Sequence, residues 1–111
     1  MVHFDYEKVK AYFDNDEVIL QGFLALLYKE LPRSRTELEK AVAEKDLTAL
    51  LNAAHKLKGT SLSAGLDKLT HIATRLNKLT HFDEGLINGL IVELVAEIDS
   101  ILPLVKEKIN A

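Results

Sequence analysis

Residues 46–65 read DLTALLNAAHKLKGTSLSAG. Leu47, Leu50, Leu51, Ala54, Leu57 and Ser61 recur there at offsets of three and four, which sets them on one face of an α-helix. Asp46 stands where a carboxylate would cap the first free amides of that helix. Gly65 stands where a helix can end by turning into the left-handed backbone region. The stretch predicts a helix from Leu47 to about Ser63–Gly65, its apolar face turned into a core. His55 sits one position off the centre of that face and so lies at its edge, toward solvent.

The same period extends in both directions, and no stretch shows sustained alternation of the strand type. Upstream, a short helix fits Asp5–Phe13, and Asp14, Asn15 and Asp16 supply turn and capping chemistry. A second helix starts near Asp16 or Glu17 and reaches about Glu44, with Val18, Ile19, Phe23, Leu26, Leu27, Leu38 and Val42 as its apolar positions. Pro32 lies inside it and predicts a kink, because proline removes a helical hydrogen bond and crowds the preceding turn. Downstream, Leu69, Ile72, Ala73, Leu76 and Leu79 mark a fourth helix that begins near Asp67, and His81-Phe82-Asp83 forms a connection. A last helix begins near Glu84 and carries Leu90, Leu94, Ile98 and Ile101; Pro103 is expected to kink or shorten it, with Val105–Ile109 as a continuation. Four substantial helices with short connections predict an all-α, antiparallel four-helix bundle with a short extra N-terminal helix. One domain over residues 1–111 is expected, with Phe23, Leu27, Leu50, Ala54, Leu57, Leu76 and Leu94 in or near the core.

Composition narrows the function classes. Forty-eight per cent hydrophobic and 28% charged residues fit a globular chain of ordinary solubility. With no cysteine there is neither a disulfide framework nor a thiolate metal site. The longest apolar run, Phe23–Tyr28, is too short to span a bilayer, and MVHFDYEKVK lacks the layout of a signal peptide, so a cytoplasmic location is expected. A net charge of −3 speaks against nucleic acid as a partner. From Lys56 to Lys78, however, five cations and one acid give +4, leaving −7 on the remainder. That distribution fits an anionic ligand or acidic partner at the segment, and equally a solvated helix face.

His55, Lys58 and Gly59 share a helix face at i, i+3 and i+4. A neutral imidazole is a nucleophile, and a neighbouring ammonium disfavours its protonated form. The same ammonium can hold an anion bonded to the ring through charge-assisted hydrogen bonds. Glycine inside a helix costs roughly 0.5–1 kcal/mol relative to alanine. Gly59 therefore needs a reason: clearance for a tetrahedral anion or a partner's loop, close helix packing, or the end of the helix.

The run AAHKLKGTSLSAGL resembles the signature of the histidine-containing phosphotransfer (HPt) family. It has a histidine, two residues, Lys-Gly, small residues, and a glycine ten positions after the histidine, matched here by His55, Lys58, Gly59 and Gly65. The resemblance covers about residues 14–80. It implies a four-helix bundle and a phosphocarrier in a multistep two-component phosphorelay, without kinase activity of its own. His55 would be the phosphoacceptor through Nε2, Lys58 its electrostatic partner and Gly59 the clearance residue. The implied partners are receiver domains of response regulators or hybrid histidine kinases, and the magnesium would belong to the receiver. Family members commonly carry Glu or Gln 22 positions after the histidine to orient its ring. Here that position is Asn77, one methylene shorter than glutamine, which would orient His55 or be an ordinary surface residue.

The bundle is expected to be a monomer. The competing class is a non-catalytic helical interaction module that docks through an apolar groove and never carries phosphate. The chemistry of His55, Lys58 and Gly59 separates the two. Metal binding has little support: no HExxH or ExxH pair appears, and Asp67 with His71 is the spacing of a surface contact. No P-loop, Rossmann glycine pattern or Ser-His-Asp order is present.

Overall fold

The computed structural model describes residues 4–109; the five terminal residues of the domain expected over 1–111 lie outside the described residues. The order of elements is α1 (Tyr6–Tyr12), α2 (Glu17–Ala43), α3 (Leu47–Ser63), α4 (Asp67–Asn77) and α5 (Glu84–Lys108), with no strand among the described residues. Helix α2 packs on α3 and α5, and α4 packs on the same two, so the four long helices close a ring around one core. This is the four-helix bundle with a short N-terminal helix that the apolar periodicity predicts.

Aspartates begin four of the helices. Asp5, Asp16, Asp46 and Asp83 each accept hydrogen bonds from free amides of the first turn, which fixes where each helix starts. Three helix ends share one closing geometry. After α3, Gly65 adopts φ +67°, Leu66 N–H donates to Ser61 O at 2.9 Å and Gly65 N–H donates to Leu62 O at 3.2 Å. After α2, Lys45 takes the left-handed position and Asp46 N–H donates to Ala41 O at 2.9 Å. Asp46 thereby finishes α2 and caps α3, so three residues, Glu44 to Asp46, turn the chain. Asp14 and Asn15 close α1 in the same way.

Helix α3 buries Leu50, Ala53, Ala54, Leu57 and Ser61, in the phase its sequence predicts. Of the expected core, Leu27, Leu50, Ala54, Leu57, Leu76 and Leu94 are buried, and Phe23 is half-buried against them. Helix α2 differs. Its inward face is Leu20, Leu24, Leu27, Leu31, Ser34, Leu38 and Ala41. Val18, Ile19 and Leu26, expected on the apolar stripe, are 84%, 53% and 54% exposed. Apolar residues surround this part of α2 on every side, so their spacing alone cannot say which face turns inward. Both prolines lie within unbroken helices, and Pro103 does not shorten α5. Each is exposed, where the carbonyl left without an amide partner can face water.

Polar contacts tie the ring together. Ser61, fully buried, donates to Leu57 O at 2.8 Å and accepts from Thr70 Oγ1 at 2.9 Å, joining α3 to α4. Arg35 on α2 reaches Asp99 on α5 at 3.0 Å, and Gln21 Nε2 donates to Lys108 O at 2.9 Å.

Gly65→Ala should lower stability by about 1–2 kcal/mol, because an L-residue is strained at positive φ. The Cβ itself would meet the Lys8 side chain only at ordinary contact distance, 3.6 Å. The urea midpoint should therefore fall; a midpoint equal to or above that of the parent would contradict the assignment of Gly65 as the closing residue of α3.

Candidate functional site

The rotation of α3 places His55 in solvent. With Ala54 and Leu57 buried, the residue between them in helical angle but opposite the core is exposed, and His55 is exposed. His55 makes no hydrogen bond or ion pair with any described residue, so both ring nitrogens are open to an incoming group.

The two lysines beside it differ. Lys56 Nζ lies 2.9 Å from Glu37 Oε2 on α2 and is neutralised there. Lys58, half-buried, has no acidic partner among the described residues. Helical side chains lean toward the N-terminus, so Lys58 leans back toward the turn that holds His55. The +4 segment is therefore not one patch: Lys56 is paired with α2, Lys68 stands 3.8 Å from the buried Glu97, and Lys58 is the cation beside the histidine.

Space separates the readings of Gly59. Helix α3 runs on to Ser63, so Gly59 does not end it, and a Cβ built there would meet nothing within 4 Å, so no neighbouring helix requires its absence. The space outside Gly59 is open. Gly59, Thr60 and Ser63 form one wall of a groove of about 400 Å³ whose other wall is Phe23, Leu26, Leu27 and Glu30 of α2. The hydroxyls of Thr60 and Ser63 donate to carbonyls of their own helix, at 3.1 and 3.0 Å, which leaves the groove mainly apolar. The sequence pattern did not point to this groove, because Leu26 in its α2 wall is expected to turn inward and instead faces out.

Asn77 occupies a different place from the one considered for it. Its Nδ2 donates to Leu51 O at 3.0 Å, on α3 one turn before His55, and no hydrogen bond joins it to His55. The short amide reaches the α3 backbone and stops there, bracing the turn beneath the histidine. His71 and His81 are exposed on α4 and in the following loop; His81 Nδ1 lies 3.3 Å from Thr80 Oγ1. Among the described residues no group of three or more His, Cys, Asp or Glu side chains is placed to hold a metal ion. None of the described helices is long and apolar enough to cross a membrane.

Comparison with known proteins agrees with this architecture. The model of the Hpt domain family matches residues 22–106, most of the chain and all of the site. The crystal structure of the HPT domain from the Hpt sensor hybrid histidine kinase from Shewanella superposes with a TM-score of 0.79 at 19% sequence identity, over 95% of this chain and 92% of that one. No curated protein matches the chain by sequence. A family match over this span, on a bundle of this topology, means that the chain belongs to the Hpt family and is a phosphotransfer domain of the phosphorelay type.

Proposed function

We propose that His55 is the phosphoacceptor and that the domain exchanges its phosphoryl group with aspartates of receiver domains. The observation that carries this reading is the setting of His55: an exposed imidazole with no partner, an unpaired Lys58 one turn on, and open space where Gly59 has no side chain. The Nε2 lone pair attacks phosphorus of the receiver's aspartyl phosphate, a P–N bond forms, the P–O bond to aspartate breaks, and the carboxylate leaves. The ring proton is on Nδ1 when Nε2 attacks, and solvent at that exposed atom takes it once the P–N bond has formed. The reverse sequence delivers the group to a second receiver. Lys58 offsets the charge on the phosphoryl oxygens during both transfers. Magnesium would be supplied by the receiver. The family's members are carriers rather than kinases, so no ATP-dependent activity of the domain itself is expected.

Incubation with a phosphorylated receiver domain should give acid-labile, alkali-stable phosphate on the protein. His55→Gln should abolish it while leaving the helical circular dichroism unchanged, since position 55 is outside the core; phosphate persisting on the variant would move the site elsewhere. Lys58→Ala should slow transfer by roughly ten- to hundred-fold without abolishing it, the change expected for one hydrogen bond to a charged group. A rate within two-fold of the parent in stopped-flow transfer would remove Lys58 from the site.

Gly59→Gln should act in opposite directions on stability and transfer. Glutamine is the better helix former by up to about 1 kcal/mol and has open space to occupy, so the urea midpoint should rise. Its side chain would lean back over position 55, so the transfer rate should drop. A stabilised variant with an undiminished rate would rule out clearance as the role of Gly59.

A further inference from the structure

The amide of Asn77 closes on one particular carbonyl. In an α-helix the N–H of each residue donates to the carbonyl four residues back, so Leu51 O is the acceptor for the backbone amide of His55. A carbonyl oxygen has two lone pairs, and on the open side of a helix the second turns to water, which lets the peptide tilt outward. Here Asn77 Nδ2 takes that second position, at 3.0 Å. The donor is itself fixed. Asn77 is the last residue of α4, and the completely buried Leu76 before it holds that turn of α4 in the core. The peptide from which the His55 turn hangs is therefore held from two helices at once, whereas no described residue hydrogen-bonds the imidazole.

We infer that Asn77 is a positioning residue for phosphoryl transfer, acting on the backbone that carries His55 and leaving the ring itself free. The inference rests on the phosphotransfer reading above. In-line attack needs Nε2 within a narrow range of phosphorus, and a misplacement of about 1 Å can cost on the order of a hundred-fold in rate. His55 has no side-chain partner to correct its place, so its reach is set by where its Cα is held. The Asn77 bond fixes that turn against sliding along the helix axis and against tilting away from α4. The ring keeps rotation about its two side-chain bonds, and its alignment with the breaking P–O bond is completed in the docked complex. A second tie between the same helices shows what is special about the first. Thr70 Oγ1 and Ser61 Oγ are 2.9 Å apart, but Ser61 lies six residues past His55. That bond joins α3 to α4 without touching the peptide that accepts the His55 amide.

The test compares Asn77→Leu, which keeps the shape of the side chain but donates nothing, with Thr70→Val, which removes the other tie. The probe is a phosphorylated receiver domain that transfers to the parent protein, titrated in single-turnover transfer. Both variants should keep the parent's helical circular dichroism. Asn77→Leu alone should slow transfer at saturating receiver, by about ten-fold, with the half-saturating concentration within two-fold of the parent. The tautomer balance of neutral His55, read from its ring nitrogens by nuclear magnetic resonance, should equal the parent's in Asn77→Leu, because the amide does not touch the ring. Asn77→Ala carries the same expectations and replaces the leucine variant if that one does not fold. A saturating rate within two-fold of the parent would overturn the assignment. So would an equal loss of rate in Thr70→Val, which would reduce the effect to general cohesion of the two helices. A shifted tautomer balance would overturn it too, by placing the amide on the ring. If no receiver in a broad panel phosphorylates the parent, the phosphotransfer reading fails and the positioning assignment falls with it; transfer that proceeds but is indifferent to Asn77→Leu defeats the positioning assignment alone.

Discussion

Burial of Leu50, Ala54 and Leu57 sets the rotation of α3 about its own axis, and everything at the site follows from that rotation. The three side chains are completely enclosed between α2 and α4. Fully burying a leucine is worth roughly 1.5–3 kcal/mol, so turning α3 by even one residue would forfeit a large part of a small domain's stability. The fully buried Ser61 hydroxyl, shared between Leu57 O and Thr70 Oγ1, adds a directional lock to the same face. With that face held inward, His55 and Gly59 must face outward. The core therefore positions a reactive group that takes no part in it, and the group can be changed without cost to the fold.

The outward surface divides by charge. Lys56 is tied to Glu37 and serves to join α3 to α2, whereas Lys58 has no acidic partner among the described residues. The two glycines of the α3 motif have opposite physics. Gly65 is required by its backbone, at φ +67°, to close the helix. Gly59 has ordinary helical geometry and is required by nothing inside the protein.

Much of this was legible in the chain because of how α3 is written. Its apolar residues are separated by polar ones, so their spacing reveals one inward face, and the caps Asp46 and Gly65 mark its ends. Helix α2 is not written that way. Val18, Ile19 and Leu26 are as hydrophobic as Leu20, Leu24 and Leu27, and only the packing against α3 and α5 decides which set is enclosed. The groove beside Gly59 was hidden in part for the same reason, since Leu26 in its α2 wall is expected to turn inward and is exposed. Asn77 shows a different limit: its spacing from His55 was readable, but the acceptor its amide would choose, Leu51 O, depends on where α4 sits along α3. Pro32 is expected to kink its helix and Pro103 to kink or shorten its own, yet α2 and α5 both run through them, α5 as far as Lys108.

Whether His55 carries the phosphoryl group is read most directly by nuclear magnetic resonance of the imidazole nitrogens after transfer from a phosphorylated receiver, with each histidine assigned. A phosphorus coupling at Nε2 of His55 alone, with the resonances of His71 and His81 undisturbed, is the result predicted here. Coupling at His71 or His81, or phosphate retained with no histidine altered, would contradict it.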